Sequence, residues 1–136
     1  PTPVVDVGSI AIPAVGLDAT MREGVTLTII DLGPAHWPGS AMPGEQGNVV
    51  VAGHRTIRSR PFADLDRLVV GDEIVFRTSA GTFTYRVTRS LVVEPHDLWI
   101  IEPTPEYTVT LFACHPKGSA RQRFVVKGEL VQASAQ

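Results

Sequence analysis

Thr82-Phe-Thr-Tyr-Arg-Val87 alternates residue by residue, with Phe83, Tyr85 and Val87 on one side and Thr84 and Arg86 on the other. A period of two marks a half-buried strand. The run continues to Val93, and Ser79-Ala80-Gly81 ahead of it reads as a hairpin turn back to a strand over Glu73–Arg77. Working outward, further short apolar or alternating runs recur at Ser9–Ile12, Val25–Ile30, Asn48–Ala52, Tyr107–Cys114 and Arg123–Val131. Glycines (12) and prolines (11) are spread along the chain and leave almost no window for a three-turn helix. Short strands divided by turn residues predict an all-β barrel or sandwich. Arg60–Leu68 is the exception: Phe62, Leu65 and Leu68 recur in steps of three behind Pro61, which predicts a turn or two of helix plugging one barrel end. Asp31–Gly47 and Glu94–Glu106 read as long loops, the usual carriers of binding function on a β scaffold.

The 136 residues suit one domain, and we expect a single unit over 1–136. A net charge of −2 argues against nucleic acid, which would call for a basic excess. No apolar run is long enough for a membrane-spanning helix. A single cysteine excludes an internal disulfide and any multi-cysteine metal centre. The chain opens on a proline with no initiator methionine or signal-like segment, which we read as the start of an excised domain.

The chemistry gathers at strand ends. In Tyr107-Thr-Val-Thr-Leu-Phe-Ala-Cys114, Val109, Leu111 and Ala113 share one face while Thr110, Phe112 and Cys114 share the other. A lone cysteine ordinarily packs as a small hydrophobe; at a strand end beside the polar loop His115–Ala120, a reactive thiol is the alternative. Asn48-Val-Val-Val-Ala-Gly-His54 reads as a buried strand that ends on an ionisable group, which is costly without a partner. Either His54 is a satisfied structural histidine, or, if the two strands run in parallel, its imidazole converges on the thiol. Arg121 and Arg123 open the strand after Cys114. A hairpin would bring one or both beside the thiol, where a guanidinium favours thiolate and oxyanion. Their spacing of two leaves the choice open, and either one alone is ordinarily a solvated charge. His36 and His96 fall in proline-rich loops and are expected to be solvated, and His115 to belong to its loop. No histidine pair has the spacing of a zinc site. Asp64, Asp66 and Asp97 are the available acids and are expected to be solvated.

Thr110-Leu-Phe-Ala-Cys114-His-Pro-Lys-Gly-Ser-Ala-Arg121-Gln-Arg123 resembles the active-site signature of sortases. The Cys-His-Pro and Ser-Ala-Arg-Gln-Arg forms are most like the class E branch of actinobacteria. Ile12–Asp18, Pro43–Asn48, Ala52-Gly-His-Arg-Thr56 and Pro61–Leu65 resemble the same branch, so the likeness covers nearly the whole chain. A basic set made mostly of arginine also suits an actinobacterial genome. Many relatives carry Thr directly before the cysteine, where this chain has Ala113.

This resemblance implies an eight-stranded sortase-type β-barrel with one or two short helices, and a cysteine transpeptidase needing no cofactor or metal. It maps the nucleophile to Cys114, the general acid/base to His54 and the arginine to Arg123, with Arg121 second. It implies cleavage of a C-terminal Leu-Ala-X-Thr-Gly or Leu-Pro-X-Thr-Gly motif between Thr and Gly, through a thioacyl intermediate. Transfer would go to an amine of a cell-wall precursor or a pilin. It further implies secreted, motif-bearing partners and a monomer on the outer face of the bacterial membrane, tethered by an N-terminal anchor missing from this chain. Together with the strand faces it nominates Ala52, Thr110, Phe112, Trp99 and Arg121 for substrate binding, with Trp99 on a substrate-shaping loop. A cysteine hydrolase with water as acceptor and a non-catalytic peptide-binding barrel are the rival readings.

Overall fold

The structure is a computed structural model and describes residues 3–115 and 118–135, with the His115 side chain outside the described set. Eight strands close into a barrel: β1 (Asp6–Ile12), β2 (Leu17–Glu23), β3 (Ala35–His36), β4 (Gly47–Ala52), β5 (Glu73–Thr78), β6 (Gly81–Val93), β7 (Tyr107–His115) and β8 (Gln122–Ala135). Their order around it is β1-β2-β3-β4-β7-β8-β6-β5. The β2–β3 and β4–β7 pairs are parallel and the others antiparallel. The alternation at Phe83, Tyr85 and Val87 is real: all three point inward on β6 and join the main core.

Inward residues of neighbouring strands fill the barrel, among them Val49 and Val51 of β4, Val109, Leu111 and Ala113 of β7, and Val126 of β8. Each fully buried side chain of this kind contributes about 1.5–3 kcal/mol, against about 0–1 kcal/mol for a surface ion pair, so the filled interior holds the barrel. A second, smaller cluster lies on the outside, where Val93, Ile100 and Val125 pack with Leu91, Ile101 and Phe112. It seats the segment between β6 and β7, including a short 3-10 turn at Leu98–Ile101, against the outer face of β7 and β8. That face carries the candidate chemistry.

Asn48 fixes this cover from beneath. Its side-chain amide donates to the carbonyls of Ile100 (2.9 Å) and Glu102 (3.1 Å), and its oxygen accepts from the hydroxyls of Thr108 (3.1 Å) and Thr110 (2.8 Å). All four bonds lie in or beside buried surroundings, where such groups are worth most and cost most when orphaned.

Several sequence expectations are corrected. Val25–Ile30, read among the strand-like runs, leads into helix α1 (Leu27–Leu32): the Thr26 hydroxyl accepts from the Ile29 N–H (3.4 Å) as an N-cap, and Gly33 closes the helix. Leu17–Glu23 and Ala35–His36 are strands that the run pattern does not mark. Arg60–Leu68 is turns ending in a 3-10 segment at Leu65–Arg67 rather than an α-helix, with Arg60 in a left-handed conformation (φ +47°) ahead of Pro61. Phe62, Leu65 and Leu68 are nonetheless buried in the core, so the plug exists without the helix. His36, expected in solvent, is buried: Nδ1 meets Glu23 Oε1 at 2.6 Å and Nε2 meets the Ala41 carbonyl at 2.9 Å.

Asn48→Ala should cost about 2–4 kcal/mol, because it removes the side-chain donor to two backbone carbonyls and the acceptor of two hydroxyls at once. Denaturant midpoints measure this, and a loss below about 0.5 kcal/mol would show that water replaces the amide.

Candidate active site

The register of β4 on β7 pairs Val50 with Thr110, Val51 with Leu111 and Ala52 with Phe112, and the Gly53 N–H then donates to the Phe112 carbonyl at 3.2 Å. His54 and Cys114 stand at equivalent places two residues beyond the last pair, at the same end of adjacent parallel strands. On the other side β8 runs antiparallel to β7, and its register pairs Cys114 directly with Arg123. Cys114 and Arg123 therefore sit side by side on neighbouring strands, and His54 follows two residues past the end of the third, all at one end of the barrel. Gly53 keeps this corner tight: a Cβ there would meet the Phe62 ring at 2.7 Å.

His54 is largely buried, at 14% side-chain exposure, and its Nε2 lies 2.7 Å from Asp31 Oδ1 at the end of α1. A carboxylate only accepts, so this contact assigns the Nε2 position as donor and makes Nδ1 the acceptor of the neutral ring. Arg58 Nε lies 3.7 Å from the other Asp31 oxygen. Asp31 was not among the acids the sequence singled out. It falls where a strand-like run was expected to pass into a loop, and only helix α1 turns it toward His54. The three acids named there are engaged elsewhere. Asp66 pairs with Arg55 (3.2 Å), Asp64 lies 3.9 Å from Arg67, and Asp97 accepts from the Glu94 N–H (2.8 Å).

The two arginines separate clearly. Arg123 lies on β8 and is half-buried, and its Nη1 donates to the carbonyls of Ala120 (2.9 Å) and Gln122 (3.0 Å). Arg121 precedes the strand and is exposed. Arg123 also lines a cavity of about 180 Å³ with Trp37, Leu98, Ile100 and Phe112. Phe112 there faces Trp37, ring centroids 6.1 Å apart.

The other nominated residues do different things. Ala52 is buried, and Thr110 is fully buried, donating to Asn48 and accepting from Lys127 Nζ at 2.7 Å. Trp99 lies on a separate cavity of about 280 Å³, with Arg89 and Lys127 both stacked near its ring at 5.8 and 5.5 Å. Burial, and secondarily the Arg89 charge, lower the Lys127 ammonium to about 8. Among the described residues no cluster of three or more His, Cys, Asp or Glu side chains is placed to hold a metal ion.

A family profile described as Sortase domain matches residues 10–131. The chain belongs to the sortase family. Sortase D of Bacillus subtilis is 29% identical over 128 residues, covering 91% of this chain and 63% of that protein. Sortase SrtE1 of Streptomyces coelicolor is 31% identical over 103 residues, covering 68% of this chain and 29% of that protein. The chain thus spans less than two thirds of the length of either relative. A solved Clostridium perfringens sortase D5 transpeptidase superposes with a TM-score of 0.86 at 33% identity, covering 93% of this chain and 79% of that one. Proteins named sortase A and sortase C match as well, so the family is shown but no single class within it. The eight-stranded closed barrel is the sortase fold.

Two measurements check this candidate site. Nitrogen-15 NMR of the His54 ring should show Nε2 as the protonated nitrogen of the neutral form, with Asp31→Asn mixing the two tautomers. A ring protonated at Nδ1 in the wild type would remove Asp31 from the account. For Lys127, the folded-state value of about 8 lies below the 10.5 of an ordinary lysine, so the unfolded chain binds more protons between those values. Stability should rise with pH through that window relative to Lys127→Met, and parallel profiles for the two proteins would contradict the burial argument.

Proposed function

We propose that this domain is a cysteine transpeptidase that cuts a C-terminal sorting motif between Thr and Gly and passes the protein to an amine. The observation that carries the reading is the alignment of Cys114 with Arg123 on one side and with the end of the His54 strand on the other. The Cys114 thiolate attacks the threonine carbonyl, forming a carbon–sulfur bond and a tetrahedral oxyanion. Collapse breaks the Thr–Gly bond, and the glycine nitrogen takes its proton from His54. An incoming amine then gives a proton to His54 as it attacks the thioester, and Cys114 leaves as thiolate. No electrons change hands, and one amide replaces another.

Arg123 would hold the peptide and stabilise the oxyanion; it stands opposite Cys114 and lines the cavity that Phe112 walls. Arg121, exposed and off the strand, is the weaker candidate for either role. With its Nε2 held by Asp31, His54 would work through Nδ1. Among the other nominated residues, Phe112 would touch a bound peptide and Thr110 and Ala52 would support the groove from below, while Trp99, on the separate cavity, is the weaker candidate for substrate contact.

Within the family we place the chain with the class E branch, on the Cys-His-Pro and Ser-Ala-Arg-Gln-Arg motifs and the similarity to the Streptomyces protein. That placement favours Leu-Ala-X-Thr-Gly as the motif and a cell-wall precursor or a pilin as the source of the amine. It also favours action at the outer face of an actinobacterial membrane. No helix among the described residues is long and apolar enough to cross a membrane.

The test is transpeptidation of Leu-Ala-X-Thr-Gly and Leu-Pro-X-Thr-Gly peptides, with and without a glycine amine acceptor. Product should depend on acceptor, vanish in Cys114→Ala and fall by about 10²–10⁴-fold in His54→Ala. An acceptor-independent product would make the domain a hydrolase instead. Peptide binding without turnover in the wild type would make it a binding module.

A further inference from the structure

Beyond the three residues of the proposed reaction, a buried arginine among the described residues has no assigned task. Arg55 follows His54 directly and is only 4% exposed. Its Nη1 donates to the Cys114 carbonyl at 3.1 Å, and its Nη2 meets Asp66 Oδ2 at 3.2 Å. The guanidinium carbon lies 5.5 Å from the centroid of the Phe124 ring on β8. A buried arginine is unusual, and an ion pair to a half-exposed carboxylate adds little net stability, so stability is a poor reason for placing it here.

Register explains its position. Along the edge of β7 that faces β4, carbonyls recur at every second residue. The Phe112 carbonyl takes the last backbone donor that β4 offers, Gly53 N–H. The next acceptor on that edge is the Cys114 carbonyl, and there β4 has already ended. The Arg55 side chain supplies the missing donor, so β7 stays pinned through the nucleophile. The same segment also holds the partner residue, because the Phe62 N–H donates to the His54 carbonyl at 3.1 Å. Asp66, just past Leu65 of the plug, closes the clamp.

We propose that Arg55, oriented by Asp66, is a positioning residue that fixes the backbone of Cys114 relative to His54. The inference rests on Cys114 and His54 being the reacting pair. Arginine suits the task because its planar fork reaches a carbonyl and a carboxylate together at a fixed angle, which a lysine ammonium does not reproduce. The guanidinium touches the main chain of the nucleophile and acts on the reaction only through it.

The experiment compares wild type, Arg55→Lys and Asp66→Asn in three readouts: kcat and KM for peptide transfer, thermal midpoint, and the pH profile of Cys114 alkylation by iodoacetamide. Loss of alignment should lower kcat about tenfold or more in Arg55→Lys and less in Asp66→Asn, with KM unchanged. The alkylation profile should be displaced in both, while the midpoint moves little. If Arg55→Lys does not fold, Asp66→Asn, changed at a half-exposed residue, decides alone. Wild-type kcat and an unmoved alkylation profile in the variants would overturn the proposal, and so would losses that merely track the unfolded fraction. Alkylation needs no sorting peptide, so a wild type that cleaves nothing would refute the transpeptidase reading while the displaced or unmoved profile still judges the clamp.

Discussion

The parallel pairing of β4 with β7 is the constraint on which the site depends. Antiparallel neighbours bring the end of one strand to the start of the next, as β7 and β8 do at Cys114 and Arg123. Two residues that both close their strands meet only if the strands run the same way. A parallel pair needs a crossover connection, and here it consists of β5, β6 and the segment above them. That long excursion also carries the cover, so one topological feature both aligns His54 with Cys114 and roofs the groove beside them.

Each strand around the site divides its work between two faces. Inward residues such as Val51, Leu111 and Val126 fill the barrel and hold it together, leaving the outward face free for chemistry. The outer face is not bare, however. Asn48, Thr110 and Lys127 form a polar chain across β4, β7 and β8, and Asn48 ties that chain to the cover. At the Cys114 end of the barrel the pairing of the acids follows from which carboxylate each helical turn delivers: Asp31 to His54 from α1, Asp66 to Arg55 from the plug.

Much of this is legible in the sequence. Period-two alternation at Phe83, Tyr85 and Val87 carried the fold class, and the same alternation put Cys114 on the face opposite Leu111. Strand ends at His54 and Cys114 were visible as apolar runs closing on reactive groups. The hairpin expected after Cys114 also forms and sets Arg123 across from Cys114, a choice between Arg121 and Arg123 that their spacing of two leaves open. What stayed hidden depended on tertiary placement. Asp31 reads as an ordinary loop acid until a Thr26 cap turns its segment into a helix. His36 reads as a solvated loop residue until Glu23, 13 positions away, accepts a hydrogen bond from its ring Nδ1. Trp99 shares a loop with the cavity near Arg123, yet stacks with Arg89 and Lys127 on the next one, which no spacing in the sequence distinguishes.

The claim at the centre is that the β4–β7 register delivers the His54 imidazole to the Cys114 thiol. Treatment of the folded domain with 1,3-dibromoacetone, followed by peptide mass mapping, tests it most directly, since the reagent joins a thiol to a neighbouring nucleophile through a three-carbon bridge. The account predicts a single Cys114–His54 cross-link that disappears in His54→Ala. A bridge from Cys114 to some other side chain, or mono-alkylation of Cys114 alone, would contradict it.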